Sequence, residues 1–128
     1  MITKENCSYE SLCQILESAF IDHAMDKDHI TVKMGRVKIM VEVTGNAVRL
    51  LAFYGAKPGL TEQSLLVSLN AINASYNFPK VYLHNETVLV AELQMLIGGG
   101  LPARSLVEAL RLMNDVLPAI PELMAIAD

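Results

Sequence analysis

The sequence predicts an α+β fold, an antiparallel sheet flanked by helices in the order α-βββ-α-ββ-α. Three observations carry this. Apolar residues recur at helical spacing in three separate stretches, near Leu12–Phe20, Leu65–Tyr76 and Leu106–Leu117. Between them the period falls to two, over Ile30–Tyr54 and again over Lys80–Leu96. Tight-turn pairs join the alternating runs, which makes an antiparallel meander with one buried face.

The first helix is expected from about Ser8 to Ala24. Ser8 is placed to cap it and Glu10 sits favourably in its first turn. Leu12, Ile15, Leu16, Ala19 and Phe20 form its apolar stripe. Asp26-Lys27-Asp28 reads as a polar turn. Ile30, Val32 and Met34 alternate with Thr31 and Lys33; Val37, Ile39, Val41 and Val43 alternate with Lys38, Met40, Glu42 and Thr44. Gly35-Arg36 and Gly45-Asn46 are the turns between strands. The third strand, Val48–Tyr54, is apolar on both faces, so it is expected at the centre of the sheet or under cover.

Gly55–Gly59 is a loop by composition. Thr61 caps the second helix, whose apolar face is Leu65, Leu66, Leu69, Ile72 and Tyr76. Pro79 ends it by disfavouring helical geometry at Phe78. Strands follow at about Lys80–His84 and Thr87–Leu96, with a turn at His84-Asn85-Glu86. On the second of them Leu89, Ala91, Leu93 and Met95 share one face, and Val88, Val90, Glu92 and Gln94 the other. Gly98-Gly99-Gly100 leads into the last helix, with Pro102 near its start. Leu106, Ala109, Leu110, Met113 and Leu117 form that helix's main stripe, and Arg104, Glu108, Arg111 and Asp115 its solvated face. Val107, Leu112 and Val116 fall outside both, and Pro118 stops the helix. The tail from Ile120 to Ile126 is strongly apolar.

The chain's 128 residues suit a single domain, and a composition 52% hydrophobic and 19% charged excludes disorder. The net charge is −4, and Lys33, Arg36, Lys38 and Arg49 read as single charges on a solvated sheet face. No basic stripe for nucleic acid results. No apolar run approaches the roughly 20 residues that span a bilayer, and the N-terminus has no apolar signal core. A cytoplasmic protein with neither membrane nor nucleic-acid partner is expected. Cys7 and Cys13 fall on different helix faces, poorly placed for a disulfide; Cys13 is read as a small core or boundary residue and Cys7 as an ordinary thiol near a helix start.

Candidate chemistry is sparse. Gly98, Gly99 and Gly100 before a helix, with Arg104 to add charge, form a weak anion-site candidate, but the phosphate-loop Lys-Ser/Thr is missing. His23 (expected at a helix end), His29 and His84 do not converge on a metal, and no serine sits in a nucleophile elbow. No catalytic residue, cofactor or metal is expected. Glu92 is read as an exposed residue on the outer face of its strand, where burial would instead raise its pKa. Asn70 and Asn73, three apart on one helix face, read as a structural clasp from the helix end to the Lys80 strand.

Leu69-Asn70-Ala71-Ile72-Asn73, Phe78-Pro79-Lys80-Val81-Tyr82, Val88-Leu89-Val90-Ala91-Glu92 and the glycine turn before a terminal helix together resemble the YbjN-like family of bacterial sensory transduction regulators. The resemblance runs from the first helix to about Leu117. It implies a fold similar to that of type III secretion chaperones, a cytoplasmic bacterial protein that binds other proteins, and a homodimer; it carries over no catalytic residue. The function expected is a non-enzymatic protein-binding module. Its partner surface is expected at Val88, Val90 and Glu92, extended by Leu112 and Val116, where apolar residues exceed what one buried face needs. The competing expectation is a small anionic ligand, or an unrecognised enzyme, at the Gly98–Arg104 turn.

Overall fold

The computed structural model describes residues 1–55, 59, 61–75, 79–85 and 88–120. Its elements are α1 (Tyr9–Ser18), β1 (Asp22–Met25), β2 (Ile30–Met34), β3 (Val37–Thr44), β4 (Ala47–Gly55), α2 (Glu62–Ser75), β5 (Lys80–Asn85), β6 (Val88–Leu96) and α3 (Ala103–Val116). The strands make one antiparallel sheet in the order β1-β2-β3-β4-β6-β5. The α+β class holds, and so does the succession of helix, strands, helix, strands, helix. The first group of strands has one member more than the sequence suggested. β4 lies between β3 and β6, as its two apolar faces require. The expectations for Ala56–Pro58, Tyr76, Asn77-Phe78, Glu86, Thr87 and the tail past Ile120 fall outside the described residues.

Alternation sorts the strands into two faces. Val32, Ile39, Val41, Leu50, Leu89 and Ala91 point to the helices and join Leu12, Leu16, Leu65, Leu69, Ile72, Leu106, Leu110 and Met113 in one buried cluster. Each such leucine or isoleucine contributes about 1.5–3 kcal/mol on burial. On α2, Leu65, Leu69 and Ile72 are buried but Leu66 is 46% exposed. It follows Leu65 directly and so points about 100° around the helix from it, off the buried stripe. Gly35 and Gly45 take positive φ at the first residue of their turns, the position glycine serves in short hairpins.

The additional strand comes from an early helix stop. α1 is capped as expected: Ser8 Oγ accepts from the Ser11 backbone N–H at 3.1 Å, and Ser11 Oγ accepts from that of Ser8. It ends at Ser18, not Ala24. Phe20 N–H donates to Glu17 C=O and Ile21 N–H to Leu16 C=O, the paired bonds of a Schellman stop. The left-handed position of that motif, usually glycine, is held by Phe20 at φ 58°. Its ring leaves the apolar stripe and is 96% exposed. His23, expected at a helix end, lies in β1, with Nδ1 2.8 Å from the Ile21 carbonyl oxygen.

Left-handed backbone costs a non-glycine residue roughly 1–2 kcal/mol, and the freer unfolded chain of glycine returns about half of that. Phe20→Gly is therefore expected to stabilise the fold by about 0.5–1 kcal/mol. Urea denaturation checks this; an unchanged or lower midpoint would show that the ring packs where its exposure says it does not.

Candidate interaction surface

The face of the sheet turned away from the helices carries a charged group at its centre. Register builds it. The hairpin at Gly45-Asn46 sets Glu42 opposite Arg49, and the β4–β6 pairing brings Glu92, opposite Leu51, diagonally beside Arg49. Lys80 lies across from Glu92 on β5, and Tyr82 across from Val90. Arg49 donates from Nε and Nη2 to the two carboxylate oxygens of Glu92, at 3.2 and 2.9 Å, and from Nη1 to Glu42 at 3.1 Å. The forked geometry gives the Arg49–Glu92 pair direction as well as charge. Tyr82 donates its phenol to Glu92 at 2.6 Å.

Glu92 is the hub, and this corrects the expected exposed residue. Its side chain is 17% exposed. The bond from Arg49, helped by that from Tyr82, holds its carboxyl below the usual carboxylate range against the opposing effect of partial burial. Burial and the Glu92 bond push the Tyr82 phenol up.

Beside this group the face is apolar. Val90 and Leu51 are buried yet lie outside the cluster that ties the sheet to the helices. Across the strands they meet Phe53 and Met40. Phe53 is 50% exposed in the body of β4, next to them.

Two grooves adjoin Phe53. One, about 310 Å³, is lined by His29, Thr31, Lys38, Ile39, Met40, Leu51 and Phe53. The other, about 420 Å³, is lined by Arg36, Val37, Lys38, Ala52, Phe53, Tyr54, Leu117 and Pro118. Both lie where the β3–β4 ladder ends at Met40–Leu51 although both strands continue.

The expected partner residues do not form one surface. Val88, Val90 and Glu92 lie on the outer face, whereas Leu112 and Val116 are on α3, whose Leu106, Leu110 and Met113 pack into the core on the opposite face. Val90 is buried and Leu112 is 41% exposed. The clasp is Asn73's: its amide donates to Val81 C=O at 2.8 Å and accepts from Val81 N–H at 2.9 Å. Asn70 is exposed on the helix surface.

Among the described residues no hydrogen bond joins the glycines to Arg104. Gly100 N–H donates to Ile97 C=O, and Leu101 N–H to Ile2 C=O. Gly100 has φ 89° and lies against the Met1 side chain. Arg104 pairs with Glu108 and lines a groove between α1 and α3. Among the described residues no group of His, Cys, Asp and Glu could hold a metal, and no helix is long and apolar enough to cross a membrane. Cys7 and Cys13 are free thiols, both pushed up by burial.

Residues 8–118 match the family model YbjN, described as "Putative bacterial sensory transduction regulator". The chain belongs to the YbjN family. Among solved structures it is similar to YbjN of E. coli, described as a putative transcription regulator, at 16% identity and a TM-score of 0.78, over 93% of this chain and 90% of that one. It is also similar to an uncharacterized protein of Methanothermobacter thermautotrophicus, at 12% identity and a TM-score of 0.61, over 94% of this chain and 96% of that one. No curated protein sequence matches the chain. At these identities the YbjN structure shows the shared fold and leaves the site to this chain's own residues.

Sequence reasoning missed Arg49, Tyr82 and Phe53. One signal was there: with Gly45-Asn46 as a two-residue turn, counting outward sets Glu42 opposite Arg49. The Arg49–Glu92 contact needs the β4–β6 pairing, which no local pattern specifies, whereas Tyr82 reaches Glu92 across the β5–β6 hairpin.

Proposed function

We propose that this YbjN-family chain is a non-enzymatic regulatory protein that works by binding another protein through the outer face of its sheet. The observation that supports it most is Phe53, half exposed at mid-sheet between Val90, Leu51 and two grooves. Aromatic residues standing over such hollows commonly anchor interfaces. The ion pairs beside it suit a binding face better than a reaction centre. Arg49, Glu42 and Glu92 satisfy one another, and the Glu92 carboxyl is held in its charged form, away from the near-neutral pKa that acid–base catalysis favours. The cytoplasmic location and the homodimer expected from the family resemblance belong to this proposal.

Immobilised chain and its Phe53→Asp variant, exposed to a lysate of the native host, provide the test. Proteins retained by the first and lost by the second are expected, with circular dichroism unchanged because Phe53 is half outside already. Identical retention by both would remove the outer face as the binding surface. Light scattering at low micromolar concentration separates a second copy of the chain from a different partner.

A further inference from the structure

We infer that the occupant of the Phe53 grooves is an acidic, extended segment of a different protein, its apolar side chains seated on either side of Phe53 and its carboxylates against Lys33, Arg36 and Lys38. This rests on the binding role proposed above and names the partner's chemistry. The charges come first. Lys33 and Lys38 are directly opposite each other across β2 and β3, and Arg36 occupies the turn that joins those strands. All three are exposed, and no carboxylate among the described residues forms an ion pair with them. Asp22 lies across from Lys33 on β1 without pairing to it. Like charges directly opposite on a sheet are destabilising. So a chain of net charge −4 keeps three unneutralised cations at one corner, while Arg49 nearby is fully paired.

The shape points the same way. Past Met40–Leu51 the ladder between β3 and β4 is not continued, although β2–β3 pairing runs to Met34–Val37 and β4–β6 pairing to Gly55–Val88. The sheet forks there, and Lys38 and Phe53 line the grooves on both sides of the fork. An extended chain fits a parted sheet, because its side chains alternate to the two sides. Nucleic acid fits less well: three cations and two largely apolar grooves are a poor match for a run of phosphates. A second copy also fits less well, since a two-fold contact here would bring the same three cations of each copy together.

Selection of short random peptides displayed on phage against the full chain tests this, followed by anisotropy with the labelled synthetic winners. Enriched peptides are expected to be net negative with alternating apolar residues. Their binding should weaken by about tenfold or more in K33E/R36E/K38E and in Phe53→Ser, and stay unchanged in Arg111→Glu, an exposed site on α3.

Neutral or basic winners that need Phe53 but ignore the charge reversal would overturn the acidic segment and leave the binding face standing. No enrichment, or winners indifferent to Phe53→Ser, would remove both. A single-stranded oligonucleotide that binds more tightly than the winners and loses its affinity in the charge-reversed chain would replace the peptide with nucleic acid. A dimer that Phe53→Ser dissociates would assign the face to a second copy.

Discussion

Replacing Asn73 with alanine is expected to cost about 2 kcal/mol, the loss of two hydrogen bonds to one backbone position. Val81 belongs to β5, an outermost strand of the sheet, and an open edge is a hazard to a β-protein. The Asn73 amide meets Val81 N–H and C=O as a neighbouring strand would, so α2 closes the edge at that point. In calorimetry the loss should lower Tm by roughly 8 °C for a chain of this size. Asn70→Ala, at an exposed position, should stay within about 0.5 kcal/mol.

Asn73→Asp discriminates further. One carboxylate oxygen can still accept from Val81 N–H, but the other faces the Val81 carbonyl oxygen, where the amide donated. At neutral pH this variant should be no more stable than Asn73→Ala. The geometry favours the protonated carboxyl, so its folded pKa is raised above the unfolded value of about 3.9. The added stability is then present below that pH and lost as pH rises through the folded pKa. Equal losses at Asn70 and Asn73 would mean that the clasp contributes nothing specific.

Where local chemistry decides structure, the sequence was readable. The alternation of Val37–Val43 and the Gly45-Asn46 turn require β3 and β4, and Ser8 marks the start of α1. It was misread where structure depends on what is far away. Asp22-His23-Ala24-Met25 has no β-branched residue, and nothing local tells it from the last turn of a helix. It is a strand because Schellman bonds around Phe20 end α1 and β2 offers an edge. Phe20 hides that stop, since the cue a reader uses is glycine.

The candidate surface was hidden for a related reason. Arg49 and Glu92 are 43 residues apart, and only tertiary register joins them. The same register separates Val90 from Leu112, which apolar excess alone had grouped. Lys33, Arg36 and Lys38 read as scattered charges until the β2–β3 pairing placed them at one corner.

Removing the Arg49 guanidinium has the largest expected effect on the outer face. In Arg49→Met, Glu42 on β3 and Glu92 on β6 are left on either side of β4 without their shared cation, with side chains 30% and 17% exposed. Breaking a fully buried pair from one side costs about 3–5 kcal/mol; partial solvation of these groups brings the expectation to about 2–3 kcal/mol at pH 7. The pH profile should reverse as well. In the native chain the Glu92 carboxyl is held low, chiefly by its bond from Arg49. Its contribution is present above the unfolded carboxylate pKa of about 4.3 and lost as pH falls through the lower folded value.

Without Arg49 the chief influence holding the carboxyl down is gone, and partial burial raises it from its native position against the remaining bond from Tyr82. The variant should then regain stability as the pH is lowered toward the carboxylate range, so the gap between the two proteins narrows on acidification. Adding Glu92→Gln to Arg49→Met keeps an acceptor for Tyr82 and removes the stranded charge, so it should restore at least half of the loss. Urea midpoints for the four proteins of this cycle, at pH 7 and near pH 4, give the coupling directly. A loss below about 0.5 kcal/mol at both pH values would reduce the group to a surface ion pair of no consequence. A loss that the double variant leaves intact would mean that Arg49 acts through its aliphatic stem.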